Sequence, residues 1–214
     1  MTNPPATVLT LERNYQGVLF DMDGTLVDSR AIVDRVMRGW AAIHGFDVSH
    51  ILAVSHGRRT IDSVSEFAVP GMDVEAEARM IEDQEIADTE GIVAITGAHE
   101  LVARLGDRWA VVTSASRELA VRRLTAAGLP IPAVLVTAED VAQGKPDPAG
   151  YLKAARLLGV PADQCLVFED APAGLKAGQS AGCDVVAITA AVLHPFEINC
   201  PSVVDYTQIH FELT

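Results

Sequence analysis

Apolar and polar positions change rhythm along the chain. Val18-Leu19-Phe20 is a short apolar run with a β-branched and an aromatic residue, and Asp21, Asp23 and Gly24 follow it closely. A run of this kind, ended by Asp and Gly, predicts a buried strand and its exit turn. From about Ser29 the apolar residues recur at spacings of three and four. Val33, Val36, Met37, Trp40 and Ile43 set this helical rhythm, and Gly45 closes the run. A second periodic stretch carries Val64 and Phe67 and breaks at Pro70-Gly71. Residues 73–90 read as a strongly acidic helix with Val74, Ala78 and Ile81 inside. No strand is expected up to Gly91, so this block reads as an all-helical insert, and Gly91 and Gly97 are candidate hinge positions on the return path.

From Ala98 the pattern alternates between helix and strand. Strands are expected at Trp109–Thr113, Ala133–Val136, Leu166–Phe168 and Asp184–Ile188, with Val203-Val204 as a last short one. Between them lie a helix with Leu119, Ala120, Arg123, Leu124 and Ala127, a helix with Tyr151, Leu152, Ala155 and Leu158, and a helix from Pro172. Asp147 is the expected N-cap of the second, with Pro148 at its first position. Residues 1–14, with Pro4-Pro5, read as a loose lead-in. Strands that alternate with helices of this length mean βαβ units, a mainly parallel sheet and the α/β fold class.

Three of these strands end in polar groups: Asp21/Asp23, Thr113/Ser114 and Glu169/Asp170. In a parallel sheet such ends share one edge, where open α/β sheets bind ligands. Asp21 and Asp23 are one residue apart, so both point into one site while the strand lasts. Carboxylates that close repel unless a cation or a shared proton lies between them. Asp21, Asp23, Glu169 and Asp170 together make a hard oxygen site that suits Mg²⁺. Lys145 sits between Gly144 and Pro146, where glycine allows an unusual turn and proline limits motion after it. With the Thr113 and Ser114 hydroxyls, this lysine completes a cradle for a phosphoryl group. A carboxylate beside a metal can attack phosphorus, and a second one two residues on can protonate the leaving oxygen and later deprotonate water. Asp21 takes the first role and Asp23 the second.

Charge narrows the partners. The chain has 214 residues and a formal net charge of −13 at pH 7. Such a surface repels nucleic acid and anionic membranes, so neither is expected as a partner. An anionic small substrate needs local cations, and His56-Gly57-Arg58-Arg59-Thr60 is a basic island in this acidic protein. Cys165, Cys183 and Cys200 form no Cys-x-x-Cys spacing and suggest neither a disulfide framework nor a zinc site. No signal peptide and no apolar run of membrane-spanning length is visible, so a reduced, cytoplasmic setting and a monomer are the expectations. His44, His50, His99, His194 and His210 read as structural or exposed.

Four stretches, in order across the chain, resemble the phosphatase branch of the haloacid dehalogenase superfamily. They are Asp21-Met-Asp-Gly-Thr-Leu-Val-Asp-Ser29, Val111-Val-Thr-Ser-Ala-Ser116, Gly144-Lys-Pro-Asp-Pro148 and Val167-Phe-Glu-Asp-Ala-Pro-Ala-Gly174. The resemblance implies a Rossmann-like core of residues 1–28 and 96–214, with residues 29–95 as a helical cap inserted after the first strand. It implies Mg²⁺ held by Asp21, the main-chain carbonyl of Asp23 and Asp170, with Glu169 assisting directly or through water. It also implies phosphate held by Thr113, Ser114 and Lys145. Trp109–Ser116, Val136–Pro146 and Phe168–Gly174 are similar to sugar and polyol phosphatases related to glycerol-phosphate and 2-deoxyglucose-6-phosphate phosphatases. The implied substrate is a small phosphorylated sugar or polyol, with Gly57 and Arg58 or Arg59 facing it, though solvated surface arginines remain the alternative. Related hexose phosphomutases carry a histidine where this chain has Val33, which weakens a mutase reading. A non-catalytic phosphate-binding module is the third alternative, although a pure binder has no need of Asp23.

Overall fold

The computed structural model describes residues 8–192 and 196–214, so His194 and the first part of the lead-in lie outside it. In chain order come β1 (Leu9–Tyr15), β2 (Gly17–Phe20), β3 (Val27–Asp28), α1 (Arg30–His44), α2 (Val48–Ser55), α3 (Thr60–Glu66) and α4 (Val74–Ala87). After these come β4 (Val93–Ala94), α5 (Ala98–Leu105), β5 (Trp109–Val112), α6 (Arg117–Ala126), β6 (Val134–Val136) and α7 (Ala149–Leu158). The chain ends with β7 (Cys165–Glu169), α8 (Pro172–Ser180), β8 (Asp184–Ile188), β9 (Ser202–Val203) and β10 (Ile209–Leu213).

The main sheet has the order β6-β5-β2-β7-β8-β9, and its pairs are parallel throughout. Strand β2 lies inside it, between β5 and β7, and all of its residues are buried. This is why the central strands read as unbroken apolar runs: helices or loops cover both faces. Phe20 stacks on Phe168 with ring centroids 5.3 Å apart and meets Trp109 and Tyr206 edge-on, all on one face. Leu19, one residue earlier, points to the other face, into a cluster with Tyr151 and Val167. Cys165 and Cys183 are free and buried, packed as small apolar groups in that second cluster.

The lead-in needs correction. Residues 9–15 form β1, which pairs in parallel with β10 at the far end of the chain. Its alternation, Leu9-Thr10-Leu11, is brief and gives way to the polar, exposed run Glu12-Arg13-Asn14, and its partner is remote in sequence. Helix α2 also has a weak signature. Ile51 is its one buried residue, and the Asp47 side chain caps it by accepting from Ser49 N–H. The N-cap position of α7 is Pro148, one residue later than expected, while Asp147 Oδ1 accepts from Ala149 N–H at 2.9 Å. The helices α1–α4 lie between β3 and β4, which form a small antiparallel pair of their own. Among the described residues no helix is long and apolar enough to cross a membrane.

Candidate active site

Because β2 pairs with both β5 and β7, the carboxyl ends of these strands lie side by side. Asp21 continues the ladder beyond β2, its N–H donating to Phe168 C=O at 3.0 Å. Asp21, Glu169 and Asp170 are all buried, and each offers a carboxylate oxygen within 4.8 Å of the others. Lys145 Nζ donates to Asp21 Oδ1, and to Glu169 Oε1 at 2.6 Å. Glu169 is held on every side: Tyr151 donates its hydroxyl at 2.9 Å, and the N–H groups of Asp170 and Ala171 donate to Oε2. Gly174 makes room for it, since a Cβ there would sit 1.6 Å from Glu169 Oε1. Burial pushes the Asp21 carboxyl well above its usual range; Lys145 opposes this, and Glu169 and Asp170 reinforce it. Burial works against the Lys145 cation as well, but its two carboxylate partners prevail and hold its pKa above the ordinary value. Three carboxyl groups converge here, and their hard oxygen donors fit a divalent ion such as Mg²⁺.

Asp170 accepts from Thr25 Oγ1 at 3.2 Å, and His56 Nε2 lies 2.7 Å from its other oxygen. Burial disfavours the His56 cation, yet Asp170 outweighs that and lifts its pKa to about 9. His56 thus brings a positive charge from the 56–60 island to the sheet edge. None of the other described histidines lines the cavity there. Gly24 is obligatory on two counts: its φ is +83°, and a Cβ would fall 1.7 Å from Asp170 Oδ2.

Asp23 stands apart from this cluster. Ser29 Oγ donates to its Oδ1 at 2.7 Å, and Arg123 Nη1 lies 2.8 Å from its Oδ2. Arg123 Nη2 lies 3.0 Å from Glu85 Oε2, and the Arg123 and Glu85 side chains are each 5% exposed. Burial, opposed by Arg123, pushes the Glu85 carboxyl up to about 7. The chemistry of Arg123 and Glu85 escaped the sequence reading. The available signal was positional: Arg123 falls on the apolar stripe of α6, and Glu85 lies one turn after Ile81 on the inner face of α4.

A cavity of about 150 Å³ opens beside Asp21 and Asp23. Of the expected residues, Thr113, Ser114, Gly57 and Arg58 also line it. Ser114 Oγ donates to Gly57 C=O at 2.9 Å, joining the basic island to the sheet edge. Thr113 Oγ1 accepts from Ala115 N–H at 3.1 Å, which leaves its own proton to donate. Lys145 lies off the cavity wall, in a smaller recess with Thr113, Ser114 and Arg59. Arg58 pairs with Glu66 at the cavity rim. Arg59 turns elsewhere: it pairs with Asp62 at 2.7 Å and lies over Gly144. This corrects the reading of Gly144, which has no positive φ. A Cβ at Gly144 would sit 2.9 Å from Arg59 Nε, so a larger residue there would push the Arg59 side chain aside.

A family model described as haloacid dehalogenase-like hydrolase matches residues 15–182. Hexitol phosphatase A of Escherichia coli (strain K12) is 46% identical over 180 residues, covering 82% of this chain and 83% of that protein. Glycerol-1-phosphate phosphohydrolase 2 of Saccharomyces cerevisiae is 34% identical over 194 residues, covering 85% and 78% respectively. The crystal structure of a hydrolase from Pseudomonas syringae matches with a TM-score of 0.76 at 22% identity, covering 92% of this chain and 94% of that one, a likeness of fold.

Proposed function

The chain belongs to the haloacid dehalogenase-like hydrolases, and from that premise we propose a Mg²⁺-dependent phosphatase of small sugar or polyol phosphates that works through a phospho-aspartate at Asp21. It is a phosphoric monoester hydrolase of the type its curated relatives represent. The observation that carries the reading is the pairing of two differently housed aspartates at one strand end. Asp21 is buried among Glu169, Asp170 and Lys145, whereas Asp23 is partly exposed beside the cavity.

Asp21, the main-chain carbonyl of Asp23, and Asp170 would hold Mg²⁺, with Glu169 assisting. Bound there, the ion supplies positive charge against the phosphoryl oxygens and the carboxylate cluster. Lys145 shares this task as a fixed point charge, Thr113 donates its free hydroxyl proton to the phosphoryl oxygens, and Ser114 does so once its hydroxyl turns from the Gly57 carbonyl. An Asp21 oxygen attacks phosphorus while the ester bond to the polyol breaks. Asp23 gives its proton to the departing oxygen, releasing the alcohol. In the second half Asp23 takes a proton from water, the water oxygen bonds to phosphorus, and the bond to Asp21 breaks to release inorganic phosphate. Gly57 and Arg58 face the polyol end of the cavity.

The test is a phosphate-release screen over sugar and polyol phosphates, with and without Mg²⁺. A hexitol phosphate comes first, because the relative at 46% identity is named for that class. Turnover should need Mg²⁺ and no bisphosphorylated primer; a strict need for such a primer would favour phosphomutase activity. Asp21→Asn should lower kcat by about 10⁴-fold or more and abolish the covalent intermediate, since an amide is a poor nucleophile. A mild loss, with labelling intact, would remove Asp21 from its role.

A further inference from the structure

Arg123 is spent in an unusual way. Its guanidinium is buried on the core helix α6 and lies against two carboxylates from different parts of the chain, Asp23 and Glu85. Even so, Nε and Nη2 are buried and make no hydrogen bond of good geometry. A buried ion pair seldom repays its desolvation, and unsatisfied buried donors add to the cost. Such an arrangement is a poor device for stability alone. All three residues line the cavity. Glu85 reaches it from α4, in the helical segment between β3 and β4, whereas Asp23 and Arg123 belong to the sheet side.

We propose that Arg123 is a positioning residue for Asp23, and that Glu85 makes this positioning depend on the docking of α4. Asp23 is gripped at both oxygens, by Ser29 Oγ on Oδ1 and by Arg123 on Oδ2. Two grips fix the carboxyl plane and aim it into the cavity. Glu85, 3.0 Å from Nη2, steadies the guanidinium in that orientation by its charge rather than by a well-formed hydrogen bond. When α4 lies against α6, the chain Asp23–Arg123–Glu85 is complete. When the helical segment withdraws, Glu85 leaves with it and Arg123 is free to rotate. The acid/base group is therefore aligned only once the cavity is covered, which couples closure over a substrate to proton transfer. The inference rests on the acid/base reading of Asp23 given above. In the affected step the ester oxygen–phosphorus bond breaks, an Asp21 oxygen–phosphorus bond forms, and the Asp23 proton passes to the departing oxygen.

Leaving-group dependence tests this. Sorbitol phosphate needs a proton on its departing alkoxide, and dinitrophenyl phosphate does not. Asp23→Asn sets the scale, and its kcat/KM should fall far more for sorbitol phosphate than for dinitrophenyl phosphate. Arg123→Lys and Glu85→Gln should show the same pattern in smaller measure. We expect about a tenfold or greater fall in kcat/KM for sorbitol phosphate and less than about a twofold change for the aryl ester. Retained aryl-ester turnover also shows that each variant is folded. If Asp23→Asn shows the dependence while Arg123→Lys and Glu85→Gln change both substrates equally, or neither, the positioning role is overturned. If Asp23→Asn itself shows no dependence, the acid/base reading fails first, and this inference fails with it.

Discussion

Two buried cations flank the Asp21–Asp23 turn, and they are held in different ways. Lys145 meets Asp21 and Glu169, which extend or end neighbouring strands of one sheet. Strand register fixes those partners, and a shift between them would have to break the ladder. Arg123 meets Asp23 and Glu85, which come from a turn and from a helix in another part of the chain. Only helix packing fixes those partners. The contrast separates two tasks. A nucleophile and its metal ligands need permanent geometry, and a sheet edge supplies it. An acid/base group that should act only on an enclosed substrate gains from a support that forms on docking.

The largest effect expected from this contrast is at Lys145. Lys145→Met removes the cation from a cluster of three buried carboxylates. Breaking such a pair leaves uncompensated charge, and a loss of about 3 kcal/mol is expected. Added Mg²⁺ should recover part of the lost Tm, because a divalent ion at Asp21 and Asp170 offsets the same charges. Turnover should fall by about 10²-fold as the phosphoryl group loses its point charge. Thermal melts with and without Mg²⁺ measure the first effect. A variant as stable as the parent, and indifferent to Mg²⁺, would show that the lysine is not what holds the cluster together.

A smaller effect sharpens the same distinction on the side of the basic island. Arg58 lines the cavity and Arg59 does not. Arg58→Ala should raise KM for a polyol phosphate by about three- to tenfold, or reorder the substrate ranking, with kcat little changed. Arg59→Ala should leave substrate ranking alone, since its guanidinium is committed to Asp62 and to the Ala142 carbonyl. Identical profiles for the two variants would return both arginines to the solvated surface.

What was legible in the chain follows from the same physics. Parallel strands buried on both faces appear as apolar runs, and the polar residues that end them stand next to those runs in sequence. Asp21, Asp23, Thr113, Ser114, Glu169 and Asp170 could therefore be placed together before any coordinates. Lys145 could be added because it sits on a loop between two such ends. The β1–β10 pair could not be read, because exposed polar residues hide its alternation and its two halves lie at opposite ends of the chain. Arg123 and Glu85 were hidden for another reason. Each is one charged residue on an otherwise apolar helix face, and only the packing of α4 on α6 shows that the two charges meet.

A third ionic network, at the surface, serves as the control with the smallest expected effect. Asp140 closes the short turn after β6. It accepts from Thr137 N–H and Oγ1 at 3.0 Å each, from Lys153 Nζ at 2.8 Å and from Arg117 Nη2 at 2.8 Å. The Lys153 hydrogen bond, against a modest opposing effect of burial and with help from Thr137, lowers its carboxyl from 3.8 to about 2. A depressed carboxyl contributes stability that is present above its ordinary value and disappears as pH falls through the folded-state value. The window here runs from 3.8 down to about 2. Because the group is partly solvated, its contribution at neutral pH should be no more than about 1 kcal/mol. Asp140→Asn should remove that amount and flatten the acid limb of a denaturant-melt series, relative to the parent, across this window. None of its partners touches the cavity that holds Asp21 and Asp23, and only Thr137 reaches the recess of Lys145, so turnover per folded molecule at neutral pH should change less than about twofold. A loss of turnover comparable to that of Lys145→Met would mean that the surface network sets the catalytic geometry too, and the division between a rigid sheet edge and its surroundings would have to be redrawn.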